Sequence, residues 1–473
     1  MADLAVFEHH LSAPRGLGKL ADAPYRGMAG GAACGDLIRV SLEVEGDRIA
    51  AAGFDAQGCG ALTAAGSAVV ELVEGAGALE AARVGAREIA AELGGLLPAK
   101  MHAADLAADA LHRALGAAAR DGALRLAPSA TRTLVAMSGG VDSTVAAHLA
   151  REAGDEVVGV TLELWGDPEN DGARSCCSAQ AVVGARALAH RMGMPHFTID
   201  LREDFRREVI ADYLAEHAAG RTPNPCVRCN GLVRFDAMLA LAERLGARRL
   251  ATGHYARIVR DEQGPLLRCA ADPAKDQAYM LARLTPDELE RLWFPLGERT
   301  KAEVRELARA AELPVADKPD SQDLCFLAGT TRSRFLRRHG RRGGRRGEIV
   351  DTDGRVLGYH DGQEEFTVGQ RRGLRVASRE PLYVLRKDAR ANRIVVGPRS
   401  ALATDRVPLR ALELRRAPEE VDRVKLRYRQ PPVRCRMVGQ EVRLEEPVDG
   451  VAPGQTACLM RGDAIVGVGV IDG

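Results

Sequence analysis

Leu134-Val135-Ala136-Met137-Ser138-Gly139-Gly140-Val141-Asp142-Ser143 is the stretch that decides the fold of this chain. It begins with an apolar run typical of a buried strand, and the residues from Thr144 to Arg151 follow with a helical pattern. Glycines between a strand and a helix let backbone N–H groups approach an anion, and the helix N-terminus adds positive partial charge. No Gly-Lys-Ser/Thr follows, which excludes a Walker loop. The sequence predicts a phosphate-binding turn, with an ordinary strand–helix turn as the alternative.

Apolar runs and helical patterns alternate from Arg132 to about residue 325. The apolar runs cover 134–137, 156–164, 196–200 and 248–252, and the helical patterns cover 142–153, 178–192 and 230–245. This alternation predicts an α/β doubly wound domain with a parallel sheet over 132–330. Ligands bind beyond the carboxyl ends of strands in such sheets, where the glycine turn, Leu162 and Ala251-Thr252-Gly253-His254 all fall.

Composition places the chain among globular proteins of several domains. It has 473 residues, of which 46% are hydrophobic and 28% are charged. Only 4% of the residues are aromatic, so stacking of nucleic-acid bases on aromatic side chains is not expected to be the main mode of nucleic-acid binding. We find neither a signal peptide nor an apolar run long enough for a membrane. The ten cysteines are therefore expected in a reducing cytoplasm, in catalytic or metal-binding roles.

Charge is distributed unevenly along the chain. Residues 1–120 carry 10 Lys and Arg against 15 Asp and Glu, a net charge of −5. The remaining residues carry 56 against 50, a net charge of +6. This asymmetry predicts separate modules with separate partners.

The first module, residues 1–118, is expected to be an α+β unit. Ile38, Val40, Leu42 and Val44 alternate with polar residues before a Glu-Gly-Asp turn, which predicts a hairpin. Three helical stretches follow near 61–74, 83–94 and 103–118. Residues 119–131 show no clear period, and we interpret them as a linker.

Two cysteines of this module lie in glycine-containing turns, where they are either accessible or simply small buried residues. The triplet Cys34-Gly35-Asp36, the turn Gly58-Cys59-Gly60 and the segment Lys100-Met101-His102 resemble the IscU/NifU iron–sulfur scaffolds. Ala103 stands at the family's third cysteine position. The resemblance implies a metal site of Cys34, Asp36, Cys59 and His102, whose ligands are harder than a cluster prefers. Docking, or transient delivery of a cluster or sulfur, is the alternative to independent cluster assembly.

Three further cysteines indicate sulfur or metal chemistry. Cys226 and Cys229 form a Cys-x-x-Cys pair at a predicted helix start, where the helix dipole favours thiolate. Cys325 follows much later, in the loop-like segment 318–326. The adjacent pair Cys176-Cys177 is favoured as structural.

The order of motifs adds a second resemblance. The glycine turn resembles the PP-loop of ATP pyrophosphatases, which cleave ATP to AMP and pyrophosphate. Together with Thr-Pro-Asn-Pro-x-x-x-Cys, Ala-Thr-Gly-His, Lys-Asp-Gln and Asp-Ser-x-x-x-Cys, it resembles the tRNA-specific 2-thiouridylases, the MnmA family, over 132–473. The resemblance implies ATP-dependent 2-thiolation of the wobble uridine, with ATP and Mg²⁺. The implied partners are tRNA and a cysteine desulfurase or sulfur-relay donor, and neither membrane nor DNA.

The match also implies roles for particular residues. Cys229 corresponds to the nucleophile and Cys325 to the persulfide carrier. The implied ATP-binding residues are Ala136, Met137, Ser138, Gly139, Gly140, Val141, Asp142, Ser143, Leu162 and Gly253. The implied tRNA-binding residues are Asn224, Pro225, Cys226, His254, Lys275, Asp276, Gln277, Tyr428, Arg429 and Gln455.

Cys226 departs from the family pattern, which usually has Asp at this position. The change makes Cys226, Cys229 and Cys325 three candidate thiolate ligands. Three thiolates leave one iron of a [4Fe–4S] cluster open, where a sulfide can bind and be donated. We weigh this cluster route evenly against persulfide chemistry.

The last part of the chain is predicted to contact RNA. Eight arginines fall between residues 332 and 346, which favours a phosphate contact over a solvated basic face. Residues 331–400 resemble the family's small central domain. Period-two patterns from 401 to 473 predict a small β-barrel. The rival function is an RNA-binding sulfur or iron–sulfur carrier without adenylation activity, which would have no use for the PP-loop.

Overall fold

The computed structural model describes residues 4–31, 35–167, 179–320, 324–340 and 345–472. Cys34, Cys176-Cys177, Arg341 and Arg342, for which roles were predicted, lie outside these residues. Across the described ranges, every helix is too short or too polar to span a lipid bilayer.

The N-terminal module is an antiparallel three-stranded sheet covered by helices. Its elements are α1 (Leu4–Ser12), β1 (Tyr25–Gly30), β2 (Leu37–Glu45), β3 (Arg48–Gln57), α2 (Gly60–Val73), α3 (Ala78–Ala81), α4 (Ala86–Glu92) and α5 (Met101–Asp121). The predicted hairpin is β2–β3, and Ile38, Val40 and Leu42 on β2 are fully buried. The predicted helices correspond to α2, α4 and α5. Sequence patterns missed α1 and β1, and α5 extends into the predicted linker.

The next region has the predicted parallel sheet. Its elements are β4 (Ser129–Ala136), α6 (Val141–Glu152), β5 (Glu156–Glu163), α7 (Ala179–Arg191), β6 (His196–Asp200), α8 (Arg202–Phe205), α9 (Ala211–Ala218), α10 (Pro225–Cys229), α11 (Phe235–Arg244), β7 (Ala247–Thr252), β8 (Arg257–Asp261), β9 (Gly264–Arg268), α12 (Pro286–Glu290), β10 (Leu292–Trp293) and α13 (Lys301–Ala310). The sheet order is β10-β7-β4-β5-β6, with all neighbours parallel. Consecutive strands therefore depart in opposite directions from β4, which places a topological switch point at its carboxyl end.

The C-terminal part contains two further sheets. Its elements are α14 (Arg332–His339), β11 (Gly347–Val350), β12 (Val356–His360), β13 (Tyr383–Asp388), β14 (Arg393–Gly397), β15 (Ala403–Leu414), β16 (Arg423–Lys425), β17 (Val433–Val438), β18 (Glu441–Asp449), β19 (Thr456–Arg461) and β20 (Ala464–Ile471). Strands β11–β14 form a four-stranded sheet. Six strands in the order β15-β18-β17-β16-β19-β20 close into a barrel through β15–β20 pairing, as predicted. The β8–β9 hairpin extends this sheet because β9 pairs with β20.

The N-terminal module covers the outer edge of β6. Helix α5 runs parallel to this strand, with the His112 Nδ1 atom 3.1 Å from the His196 carbonyl oxygen and Arg120 donating to the Asp200 carbonyl at 2.7 Å. Gly116 allows the close approach, since a Cβ there would lie 1.9 Å from the Thr198 carbonyl oxygen. An edge strand presents unpaired backbone groups, and α5 shields those of β6.

Buried charges also join the module to the sheet domain. Arg186 on α7 is 5% exposed and donates to Asp109 on α5 at 3.0 Å. Arg113 on α5 donates to Asp109 at 2.9 Å and to the buried Glu163 at 3.0 Å. Each of these charges has a partner in this network, so the two units are held in one defined arrangement.

Removing one member of this network should destabilise the protein. Arg186→Met leaves the Asp109 carboxylate with one guanidinium instead of two in a buried setting, and we expect the unfolding free energy to fall by about 3 kcal/mol. Arg309→Met is the matched control, because its pair with Asp317 is 58% and 85% exposed and should contribute less than about 1 kcal/mol. Urea titrations of both variants make the comparison. Equal losses would contradict a structural role for the buried network.

Candidate active site

The turn between β4 and α6 has the geometry of an anion site. Gly139 adopts a φ of +69°, which a side chain would disfavour. The Ser138 backbone N–H donates to the Ser143 Oγ at 3.1 Å, and that hydroxyl donates to the Gly140 carbonyl at 3.2 Å. Ser143 therefore fixes the turn from inside, and the first backbone N–H groups of the twelve-residue helix α6 lie beside it.

Gly253 brings the end of β7 against this turn. A Cβ at Gly253 would lie 2.6 Å from both the Asp142 carbonyl carbon and the Ser143 nitrogen. These are backbone atoms at the start of α6, so a side chain could not be accommodated by a rotamer change. The contact joins the two strand ends that flank the switch point.

A cavity of about 1660 Å³ opens at these strand ends. All ten residues predicted to bind ATP line it: Ala136, Met137, Ser138, Gly139, Gly140, Val141, Asp142, Ser143, Leu162 and Gly253. Its wall also includes Pro225, Cys226, Cys229, His254, Lys275, Asp276, Gln277, Cys325, Tyr428 and Arg429. Among the remaining predicted residues, Asn224 and Gln455 do not line this cavity. The structure thus brings together motifs that are widely separated in sequence.

The segment that carries Cys226 and Cys229 is held by Asn224. The Asn224 Oδ1 accepts hydrogen bonds from the backbone N–H groups of Cys226 at 3.1 Å and Val227 at 3.2 Å, which caps α10. Cys229 is buried at 6% exposure, whereas Cys226 is half-buried. A π-helical turn, Asn230–Arg234, then joins α10 to α11. Such turns are frequent at functional sites.

Cys325 is positioned by its neighbour Phe326. The Phe326 ring is 1% exposed and lies 5.1 Å from the Tyr213 ring, 5.0 Å from Phe335 and 6.0 Å from Phe205, measured between centroids. These aromatic contacts anchor the short 3₁₀ turn Cys325–Leu327 beside the cavity. Cys325 as a residue remains partly exposed.

A lysine that the sequence patterns missed joins the turn to the Cys325 segment. Lys301 Nζ donates to both Asp142 carboxylate oxygens at 2.7 and 2.9 Å and lies 2.9 Å from Asp320 Oδ1. Lys275 Nζ donates to the other Asp320 oxygen at 2.7 Å. Burial raises the pKa of Asp320, but the two lysines outweigh this effect and bring its pKa to about 2. Asp320 is therefore ionised at neutral pH.

Two more cations reach the cavity without having been predicted. Lys318 Nζ donates to the Gly139 carbonyl at 2.9 Å, and Arg234 lines the wall near His254. Lys318 and Asp320 belong to the segment 318–326, in which only Cys325 was predicted to be functional. The one lysine of that segment, Lys318, was the sequence signal for positive charge beside the glycine turn.

The residues predicted to touch tRNA occupy different environments. Asp276 is 8% exposed and accepts from the backbone N–H groups of Ala270 and Ala278 and from Lys425. Gln277 accepts from the Tyr255 N–H. These two side chains therefore make structural contacts within the protein, in addition to lining the cavity.

The other predicted tRNA contacts are also placed by the fold. Burial and the nearby Arg234 lower the pKa of His254 to about 3, so its ring is neutral at physiological pH. Gln455 donates to the Thr222 carbonyl at 2.6 Å and ties the barrel to the segment before Asn224. Arg429 is exposed, and the role of each residue toward tRNA stays a prediction.

The predicted metal site of the N-terminal module has three described members. Asp36, Cys59 and His102 offer ligand atoms that all lie within 4.8 Å of one another. The Asp36 Oδ2 atom lies 3.5 Å from Cys59 Sγ and 3.1 Å from His102 Nε2. The Cys59 N–H and side chain and the His102 ring together outweigh burial and lower the pKa of Asp36. Carboxylate, thiolate and imidazole make a donor set suited to Zn²⁺.

Cys226, Cys229 and Cys325 line the large cavity but do not form a comparably close group within the described ranges. A fourth thiol, Cys269, lines the same cavity and was missed by the sequence interpretation. Burial, with the Asp276 carboxylate beside it, raises the pKa of Cys269 to about 12. Cys269 is therefore a protonated thiol at neutral pH.

Comparisons with known proteins agree with this architecture. Residues 4–120 match the NifU-like N terminal domain, and residues 131–329 match the tRNA methyl transferase HUP domain. Residues 333–398 match the tRNA methyl transferase PRC-barrel domain, and residues 412–471 match the aminomethyltransferase beta-barrel domain.

Named relatives resemble the chain over long ranges. The bifunctional protein NifU/MnmA of Rubrobacter xylanophilus is 46% identical, over 98% of this chain and 97% of its own. The tRNA-specific 2-thiouridylase MnmA of Rhodospirillum centenum is 45% identical, over 73% of this chain and 92% of its own. The same-named protein of Zymomonas mobilis is 44% identical, over 72% and 94%.

The parallel sheet with a glycine turn at its switch point defines a nucleotide-binding α/β domain of the HUP class. The chain belongs to the family of the tRNA-specific 2-thiouridylases, in the form that begins with a NifU-like module. Both resemblances drawn from the motifs are confirmed.

Gly253→Ala should separate the strand end from the turn. Since the added methyl meets backbone atoms at 2.6 Å, we expect a loss of about 1–3 kcal/mol in unfolding free energy and at least about tenfold weaker ATP binding. Gly184→Ala is the control, because Gly184 lines the same cavity and its added Cβ would meet nothing within 4 Å. Calorimetric titration with ATP and urea denaturation measure both effects. Unchanged ATP affinity in Gly253→Ala would show that the turn tolerates the displacement.

Proposed function

We propose that this chain catalyses ATP-dependent 2-thiolation of the wobble uridine of tRNA, releasing AMP and pyrophosphate. The observation that carries the proposal is that the glycine turn, Cys229 and Cys325 line the same cavity. A phosphate site alone is common to many enzymes, and a pair of thiols alone is compatible with a carrier. Their meeting in one cavity supports activation and sulfur transfer at the same uridine.

In the first step, the uridine C2 oxygen attacks the α-phosphate of ATP and pyrophosphate leaves. The backbone N–H groups at the start of α6 would bind the pyrophosphate oxygens. Lys318 and Arg234 place positive charge beside the same cavity, which offsets the charge that develops on the phosphates. The Asp142 carboxylate suits Mg²⁺, which when bound would supply charge neutralisation on the phosphates.

In the second step, sulfur replaces the adenylated oxygen. The terminal sulfur of a Cys325 persulfide attacks C2, and the oxygen leaves with AMP. The Cys229 thiolate then attacks the Cys325 sulfur, which releases the thiolated uridine and leaves a disulfide between the two cysteines. A thiol reductant restores both thiols. Phe326 and Asn224 hold the two segments beside the activated base.

The donor set of the cavity also suits an iron–sulfur cluster. Cys226, Cys229 and Cys325 all line the cavity, and thiolates are the ligands such clusters prefer. A cluster held by three cysteines would supply an iron with an open position for sulfide. In that case the same residues act as ligands rather than as persulfide carrier and nucleophile.

Recognition of tRNA is proposed for the C-terminal part of the cavity and for the basic residues after Cys325. Some arginines of that run make contacts within the protein. Arg338 pairs with Asp167 at 2.9 Å, and Arg332 donates to Thr367 at 3.2 Å. Arg346 instead stacks on the exposed Tyr359 ring at 4.1 Å, which leaves a charged, planar surface for RNA. A sulfur-donating protein is the second proposed partner, and the thiols require a reducing compartment such as the cytoplasm.

Asp142→Asn tests the adenylation step. Loss of the carboxylate removes the charge that Lys301 and Mg²⁺ would share, and we expect tRNA-dependent AMP formation to fall by about 100-fold. Asp317→Asn is the control, because that side chain is 85% exposed and outside the cavity. AMP formation is measured by chromatography with labelled ATP. Full activity in Asp142→Asn, or wild type that binds tRNA without forming AMP, would favour the carrier function instead.

Cys226→Asp separates the persulfide and cluster routes. If Cys226 is a cluster ligand, anaerobically purified wild type contains iron and absorbs visible light, and the variant loses both. If Cys226 only faces the base, iron is absent from both proteins and thiolation persists. Iron analysis and visible absorption, with tRNA thiolation assayed anaerobically, distinguish the two routes. A colourless wild type that thiolates tRNA at full rate would exclude the cluster.

A further inference from the structure

The candidate metal site of the N-terminal module, the triad Asp36, Cys59 and His102, lies at the far end of α5 from the cavity. His112 lies beside the amino end of β6 and Arg120 beside its carboxyl end, so α5 and β6 run in the same direction. The triad residue His102 is ten residues before His112 on the same helix. The cavity, by contrast, opens beyond the carboxyl ends of β4, β5 and β7.

The separation follows from helix and strand geometry. Ten helical residues rise about 15 Å, which places His102 that far beyond the amino end of β6. The five residues of β6 span about a further 13 Å to its carboxyl end. His102 and the carboxyl end of β6 are therefore about 28 Å apart along the helix and strand axes. Cys325 lies beyond the carboxyl ends, since the ring of its neighbour Phe326 is 6.4 Å from the ring of Trp165, which follows β5. No thiol of the triad can reach Cys325 of the same chain in this arrangement.

The arrangement is also firmly held. Swinging the module toward the cavity would break the buried Arg186–Asp109 pair and the Arg113–Glu163 pair, and would expose the edge of β6. Breaking a buried pair by separating its partners is strongly unfavourable. A transfer within one chain therefore requires a rearrangement that the interface opposes.

We propose that Cys59 carries a sulfane sulfur and delivers it to Cys325 of a second copy of this chain. The proposal rests on the thiolation function, which it extends by naming how the N-terminal module takes part. It requires only one accessible thiol in the module, so it needs no cysteine at the position of Ala103.

The surroundings of Cys59 suit this transfer. The Cys59 side chain is partly exposed, its Sγ lies 3.5 Å from Asp36 Oδ2, and its thiol proton is released to solvent. The thiolate then attacks the terminal sulfur of a persulfide on a donor protein, whose own thiolate leaves. Next, the Cys325 thiolate of the second copy attacks the terminal sulfur on Cys59. The sulfur–sulfur bond at Cys59 breaks, Cys325 becomes the persulfide and Cys59 is again a thiolate, with no net oxidation.

Charge and exposure favour a second copy as the acceptor. Residues 1–120 carry a net charge of −5 and the rest of the chain +6, so the module of one copy is attracted to the thiolation domains of another. The His102 side chain is 45% exposed at the triad. Leu97, shortly before it, is 67% exposed, and Leu11, which touches Gly60, is 41% exposed. These apolar side chains provide contact area around the thiol.

Labelled sulfur tests the transfer between two full-length variants. The donor, Cys229→Ser/Cys325→Ser, is loaded with [³⁵S]glutathione persulfide and freed of reagent. The acceptor, Cys59→Ser, is then added, and peptide mapping locates the label. We expect label on the acceptor's Cys325, with a half-time that lengthens about tenfold on tenfold dilution of both proteins. A donor that also carries Cys59→Ser is the control and should transfer nothing.

Three results would overturn the proposal: failure of Cys59 to take up label, retention of label on the donor, or self-loading of wild-type Cys325 from Cys59 at a rate independent of dilution. Formation of AMP with tRNA, measured in the same acceptor, reports on the thiolation function separately. An acceptor that forms AMP but receives no sulfur would contradict the transfer alone. An acceptor that receives sulfur but forms no AMP would contradict the thiolation function alone.

Discussion

The approach of β7 to the start of α6 is the constraint on which the active site depends. Only a glycine fits at position 253, because a Cβ would lie 2.6 Å from the backbone of Asp142 and Ser143. This contact brings two neighbouring strand ends together at the switch point of the sheet. It places the anion-binding turn beside the segment that begins at His254. The segments that carry Cys229 and Cys325 line the same cavity.

Ionic contacts extend this arrangement to the sulfur chemistry. Lys301 holds Asp142 of the glycine turn and Asp320 of the Cys325 segment on one ammonium group. Lys275 shares Asp320, so a residue predicted to meet tRNA is joined to the same cluster. One set of charges thus joins the glycine turn, the Lys275 segment and the segment that carries Cys325. The two lysines lower the pKa of Asp320 to about 2, so this shared carboxylate stays ionised at physiological pH.

Much of the fold could be predicted because its signals are local. The apolar runs of β4–β7 and the alternation in β2 are patterns of neighbouring residues. The glycine turn and the cysteine motifs likewise mark chain positions that line the cavity. The strand order and the pairing of β9 with β20 depend on distant residues, and no local pattern encodes them. Lys301 was missed for the same reason, since its acidic partners are far away in sequence. The position of the triad at the opposite end of α5 likewise required the packing of α5 along β6.

The fate of the uridine C2 oxygen tests the central claim most directly. If the cavity adenylates the base, tRNA labelled with ¹⁸O at C2 of the wobble uridine should yield AMP that carries the label, one labelled AMP for each thiouridine formed. Mass spectrometry of AMP and of the digested tRNA measures both products in one reaction. Thiouridine formed with unlabelled AMP, or with ADP as the nucleotide product, would contradict this account.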